Sequence, residues 1–192
     1  GAALANRSKG NNIITSSIEH PAVTEVCRYL ETIGFTVTWL PVDAAGMVNP
    51  GDVLNAITPA TILITVMHAN NESGVIQPVE EIGKITKEKG IVFHVDAVQT
   101  VGKLEVKPKE WGIDMLTFSG HKFYGPKGVG GLFVRMGTRM TKILTGGHQE
   151  RKRRPGTSNM PGIVGMAKAL ELTYTEKETH AKKEEELRNY FE

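Results

Sequence analysis

The chain has 192 residues, of which 40% are hydrophobic and 23% charged, with a formal net charge of +2. That is ordinary globular usage, long enough for one substantial core, and the small charge gives no electrostatic reason to expect a nucleic-acid or membrane partner. A single cysteine, Cys27, excludes an internal disulfide framework and fits a reducing, cytoplasmic setting.

Residues 1–10 read as the end of a helix running into a Lys9-Gly10 turn, without the regions of a signal peptide. The expectation is a domain whose start lies further upstream. No stretch approaches the roughly 20 apolar residues of a membrane-crossing helix. Asn12 to Ser17 is a short apolar strand. Pro21 opens a helix to about Ile33, with Val23, Val26, Cys27 and Leu30 at helical spacing, and Gly34 closes it. Phe35 to Leu40 alternates and is rich in β-branched residues, a second strand. Pro50 begins a short helix carrying Val53, Leu54 and Ile57; Thr61 to Met67 is a continuous apolar strand, as expected where both faces of a sheet are covered. Pro78 starts a helix that ends at Gly90, and Ile91–Val95 and Asp114–Ser119 are further buried strands. Val129–Val134 carries glycines inside a strand-like run, a sign of close backbone approach. Thr145–Asn159 is a long irregular segment dense in Gly, Arg and Lys, and a long helix begins near Gly162. The alternation predicts an α/β fold with a mainly parallel sheet and helices on both faces. Residues 1–162 form the partial large domain, and 163–192 form one helix leading towards a further small domain.

Ligands in open α/β sheets collect at the carboxyl ends of strands. Four polar groups fall at such ends here: His20; Asn71; Asp96 with Gln99; and the run Ser119-Gly120-His121-Lys122. Lys122 follows Asp96 by 26 positions, room for one connection and one strand, so the two can be sheet neighbours. An aspartate and a lysine so placed are what pyridoxal phosphate needs, a partner for the pyridinium nitrogen and an amine for covalent attachment. A lysine kept close to an apolar floor also has its amine freed as a nucleophile. Bland readings stand beside these. Lys122 could be a surface residue in a glycine-rich turn, Asp96 a helix N-cap and His20 a loop residue. Asn70 and Asn71 are ordinary turn formers. His68 and His94 read as structural, Cys27 as core, and Arg151–Arg154 as a solvated basic run. No Cys/His spacing supports a metal site.

The strings Ile18–Val23, His68–Gly74, His94–Gln99, Ser119–Gly128 and Arg154–Thr157 resemble, in this order, the cysteine desulfurase and selenocysteine lyase group of fold-type I pyridoxal-phosphate enzymes, within the class V aminotransferases. The resemblance implies pyridoxal 5'-phosphate held by Asn71, Asp96, Gln99, Ser119, His121, Lys122 and Thr157, with Lys122 and His20 catalytic. Lys122 corresponds to the covalently attached lysine and proton carrier, and Asp96 to the partner of the pyridine nitrogen. His20 corresponds to an imidazole on the cofactor face, with Gln99 and Asn71 near the ring hydroxyl and the substrate. Ser119 and His121 correspond to phosphate ligands, and Thr157 to a residue that reaches the neighbouring subunit's phosphate in a homodimer. The implied reaction removes sulfur from cysteine, or selenium from selenocysteine, and leaves alanine; a sulfur-acceptor protein and iron–sulfur cluster assembly go with it. The family's mobile sulfur-carrying cysteine, its substrate-carboxylate arginine and a glycine-rich phosphate loop are expected outside residues 1–192. The segment alone is therefore expected to bind the cofactor weakly, or to be a non-catalytic α/β unit.

Overall fold

Aliphatic and β-branched runs alternate with helices opened by proline, and the computed structural model, which describes residues 1–192, turns that alternation into one six-stranded sheet. In chain order the elements are α1 (Ala2–Asn6), β1 (Asn12–Ser16), α2 (Pro21–Thr32), β2 (Thr36–Leu40), α3 (Pro50–Ala56), β3 (Thr61–Met67), α4 (Val79–Lys89), β4 (Val92–Asp96) and β5 (Met115–Ser119). A 3-10 turn (Gly120–Phe123), β6 (Gly130–Val134), α5 (Gln149–Lys152), α6 (Met160–Thr175) and α7 (Lys177–Phe191) complete it. No helix is long and apolar enough to cross a membrane.

The strand order is β2-β1-β3-β4-β5-β6, with β1 to β5 mutually parallel and β6 antiparallel to β5. The chain builds outward from β1 to β2 and then returns to place β3 on the other side of β1. The winding therefore reverses between β1 and β3, where a crevice opens at the carboxyl ends.

Successive residues of a strand face opposite sides, and β1 shows this directly. Ile13 packs with Cys27, Leu30, Phe35 and Ile62, beneath α1 and α2, whereas Ile14 joins Val53, Ile64, Val66, Ile82, Phe93 and Val95 beneath α3 and α4. Helices on both faces, as the sequence implies, bury both sides of the central strands. The glycines of β6 do allow close approach: a Cβ at Gly131 would sit 2.1 Å from the Phe118 ring, and one at Gly130 2.6 Å from the Phe118 carbonyl oxygen.

The terminal helix is where expectation and structure part. Instead of one helix from Gly162 there are two, α6 and α7, broken at Glu176, whose φ of −101° and ψ of 5° leave the helical region. The composition changes at the same point: α6 carries Met166, Ala169 and Leu170 against the core, while α7 has no buried residue. Inside the irregular segment, α5 is a single turn with Glu150, Arg151 and Lys152 at positive φ.

Candidate active site

The carboxyl end of β4 delivers Asp96, 8% exposed. One carboxylate oxygen accepts the Val98 N–H at 2.9 Å, and the other makes no hydrogen bond. The capping role foreseen for this residue is real, although it caps a turn rather than a helix. Burial lifts the Asp96 carboxyl above its ordinary value; the Val98 N–H and the nearby His20 ring oppose that lift. His20 thus lies within electrostatic reach of Asp96 although the two are 76 positions apart in sequence.

His20 is exposed and is the N-cap of α2: its Nδ1 accepts the Ala22 N–H at 3.1 Å. Because Nδ1 accepts there, the ring proton of the neutral imidazole resides on Nε2. The helix cap fixes the ring at the start of α2.

β5 pairs with β4 in parallel, Asp96 opposite Thr117, so the turn after β5 lies beside the end of β4. That turn carries Lys122, half-buried and engaged in no ion pair. It is built tightly. The Gly120 carbonyl accepts the Gly125 N–H at 2.9 Å, and a Cβ at Gly125 would come within 2.8 Å of that oxygen. Tyr124 takes the left-handed conformation with φ 65° to close it. Phe123, fully buried, roots the turn. The Thr173 hydroxyl of α6, which donates to the Ala169 carbonyl of its own helix at 2.8 Å, lies 3.3 Å from the Phe123 carbonyl as a longer second acceptor. Met166 of α6 also lies against Gly120, where a Cβ would meet it at 3.1 Å. Helix α6 is therefore the buttress of the lysine turn, a role not visible in the sequence of either segment.

Ser119 Oγ and His121 Nδ1 are 2.8 Å apart on the same turn. Gln99 is half-buried in the turn after β4. The two asparagines divide their labour. Asn70 builds the turn, its amide donating to the Ile18 carbonyl at 2.9 Å while its oxygen accepts from the Glu72 and Ser73 N–H groups. Asn71 is exposed beside it. Thr157 is exposed between α5 and α6 and joins no contact with the cluster in this chain.

Two histidines near the site are structural. His68 meets Thr100 Oγ1 at 2.9 Å and the edge of Trp111 at 5.3 Å between centroids. His94 lies between Thr65, at 2.8 Å from Nδ1, and Thr117, at 3.3 Å from Nε2; burial pushes its pKa down to about 4, so it is neutral. Glu19, overlooked among the candidates although it adjoins His20, is a buried carboxylate between the ends of β1 and β3. A charged residue between a strand and a proline-started helix was the available signal, but burial cannot be read from one sequence. Cys27 is buried in the core beneath α2, and its thiol is pushed up to about 11, first by burial. That thiol is not a nucleophile at neutral pH.

The convergent set comprises a buried carboxylate with one free oxygen, an imidazole, an unpaired primary amine and a hydroxyl–imidazole pair. It fits pyridoxal phosphate: Asp96 suits the ring nitrogen, Lys122 the carbonyl carbon, and Ser119 with His121 an anionic group. No group of three or more His, Cys, Asp or Glu side chains is arranged to hold a metal ion.

Comparison with known proteins gives the family. The family model "Aminotransferase class-V" matches residues 2–192. A cysteine desulfurase IscS of Dictyoglomus turgidum is 52% identical over 191 residues, covering 100% of this chain and 48% of that protein. One from Methanosarcina thermophila is 57% identical over 176 residues, covering 92% and 44%. Among solved structures, a NifS-like protein superposes with a TM-score of 0.95 at 43% identity, over 98% of this chain and 52% of that one. SspA in complex with cysteine superposes with a TM-score of 0.86 at 46% identity, over 89% and 50%. The chain spans about half the length of the curated relatives it matches. With the family model matching residues 2–192 and solved structures of like fold superposing on nearly the whole of it, the chain belongs to the aminotransferase class-V family.

Proposed function

We propose that this chain is the cofactor-binding part of a cysteine desulfurase, which uses pyridoxal phosphate to convert L-cysteine to L-alanine and passes the sulfur to an enzyme thiol as a persulfide. One observation carries the reading. Neighbouring parallel strands end in Asp96, with a free carboxylate oxygen, and in the turn that presents Lys122, while the His20 ring lies within electrostatic reach of Asp96. The names of the relatives supply the substrate class.

Bound here, the cofactor supplies an electron-withdrawing ring that weakens the bonds at the α carbon of an amino acid. Asp96 would hold a proton on the ring nitrogen through its free oxygen, the charge–charge contact being strong because the carboxylate is nearly buried. Lys122 contributes Nζ, a primary amine for covalent attachment and, unprotonated, a base for the proton of the substrate's α carbon. His20 keeps its ring proton on Nε2 and free for a ligand, since Nδ1 is occupied by the helix cap. Ser119 and His121 would bind the phosphate, with Gln99 and Asn71 at the rim. Thr157, exposed and joined to this cluster by no hydrogen bond, suits the phosphate of a second copy, which makes the working form a homodimer. Cys27 is too deeply buried to take the sulfur, so the accepting thiol belongs to another part of the protein. The reducing cytoplasm is the compartment this chemistry suits.

The test is an absorbance spectrum after addition of pyridoxal phosphate, with Lys122→Ala as control, followed by sulfide and alanine assays with L-cysteine. A visible band that disappears in Lys122→Ala, together with alanine formation, supports the proposal. Absence of the band both in this chain and in a full-length protein that contains it sinks the proposal, and alanine formation from selenocysteine alone redirects it to selenium.

A further inference from the structure

Glu19 is 7% exposed in the crevice where the winding of the sheet reverses. Its Oε1 accepts two hydrogen bonds, from Ser16 Oγ at the end of β1 at 2.5 Å and from the Met67 N–H at the end of β3 at 2.9 Å. Its Oε2 is buried and has no partner. From the same side Asn70 donates to the Ile18 carbonyl at 2.9 Å. The segment that ends in His20 is thus tied to the exit of β3 at two consecutive residues, Ile18 and Glu19.

The charged and titratable groups around Glu19 are Asp96 from β4 and Cys27 from α2, with His20, its chain neighbour, next to Asp96. Asp96 opposes ionisation of Glu19, and no lysine or arginine pairs with it. Ionised, Glu19 would leave a buried, unbonded charge on Oε2 beside a second carboxylate, an arrangement that strongly favours the protonated form of one of the two. A proton on Oε2 disturbs neither bond to Oε1.

We infer that Glu19 is a positioning residue that works in its neutral form: Oε1 clamps the His20 segment to β3, and the proton on Oε2 leaves the charge of the crevice on Asp96 alone. The purpose of that arrangement, keeping Asp96 as the sole anion for a ring nitrogen, rests on the proposed cofactor; the clamp does not. Burial, the first cause, pushes the Glu19 carboxyl up to about 7, so the neutral form predominates below that pH and gives way above it.

Glu19→Gln keeps an oxygen acceptor and cannot ionise, whereas Glu19→Ala removes the acceptor. In the cofactor-free protein, thermal midpoints of wild type and Glu19→Gln are followed against pH. The midpoint of the wild type should fall relative to that of Glu19→Gln as pH rises from about 4.5 to 8, because only the wild type must carry or lose the proton. With pyridoxal phosphate as the probe, Glu19→Gln should bind within about threefold of wild type and Glu19→Ala about tenfold more weakly, the loss expected of a buried hydrogen-bonding group. Parallel wild-type and Gln curves across the pH range overturn the inference, as does a Gln variant as impaired as Ala. If Ala does not fold, the pH comparison decides. Divergent pH curves in a protein that binds no cofactor would uphold the neutral Glu19 and overturn the cofactor reading.

Discussion

Ser119 Oγ and His121 Nδ1 share a hydrogen bond of 2.8 Å on the turn that carries Lys122. Two polar side chains that bind each other while exposed to solvent are held ready, with their rotamer freedom already reduced, for an anion that both can approach. Ser119→Ala should weaken pyridoxal phosphate binding about tenfold, the equivalent of ~1.5 kcal/mol for one charge-assisted hydrogen bond. Titration of the visible absorbance measures it. The thermal midpoint of the cofactor-free protein should not move, because the pair is exposed.

Lys122→Ala should abolish the visible band and all turnover while leaving folding intact. The Lys122 side chain is in no ion pair, and Phe123 next to it, rather than the lysine, anchors the turn in the core. Circular dichroism and a urea midpoint check the second half of this prediction. A large loss of stability would mean that the ammonium supports the turn.

Gly83 and Gly131 both reject a side chain, for reasons of different severity. A Cβ at Gly83 in α4 would sit 1.7 Å from the Trp111 carbonyl oxygen, a backbone atom, whereas at Gly131 it would meet the Phe118 ring, which can turn away. Gly83→Ala should therefore cost at least ~3 kcal/mol and Gly131→Ala ~1–2 kcal/mol, the range of overpacking penalties. Urea denaturation of the two variants compares them directly.

Two buried groups pull stability in opposite directions with pH. His94, at about 4, has a folded pKa below its unfolded value near 6.5, so the unfolded chain takes up a proton first and stability falls as pH drops from 6.5 to 4. Glu19, at about 7, has a folded pKa above its unfolded value of 4.5, so stability falls as pH rises from 4.5 to 7. Each effect is ~3 kcal/mol by the rule of 1.36 kcal/mol per pKa unit, and between pH 4.5 and 6.5 the two slopes cancel. The contribution of this pair should therefore be flat in that window. His94→Asn should expose the Glu19 slope and Glu19→Gln the opposite one, as read from thermal midpoints at half-unit pH intervals.

Cys27 should not react with a disulfide reagent in the native protein at pH 7.5 and should react stoichiometrically in denaturant. It is buried, and its thiol is pushed up to about 11. In the desulfurase assay no persulfide should be found on Cys27 by mass spectrometry. A persulfide there would mean that α2 opens during turnover.

Much of the architecture was legible in the residues because it is local. Proline at the first turn of α2, the alternation of Phe35–Leu40 and the apolar run Thr61–Met67 each declare an element through backbone preference and pattern. The glycines of β6 announced a close approach without saying to what; Phe118 is the answer. The break at Glu176 was not legible as a stop: the composition turns from apolar to charged there, but helix-forming residues flank it on both sides and no glycine or proline interrupts them.

The candidate site divides the same way. Asp96 and Lys122 could be nominated from sequence because residue types at the ends of apolar strands have a chemical meaning, and a parallel sheet gathers such ends on one side. Sequence also suggested that Asn70 and Asn71 belong to a turn. Only the tertiary structure decided that Asn70 is consumed by the Ile18 carbonyl and the turn, that α6 buttresses the Lys122 turn through Met166 and Thr173, and that Glu19 is buried between β1 and β3 within the field of Asp96. The physical reason is separation along the chain. Backbone preference and hydrophobic period act over a few residues and are written in the sequence itself. Burial, the field of a second carboxylate and the support of a distant helix arise when segments tens of residues apart are brought together, and they exist only in the folded chain.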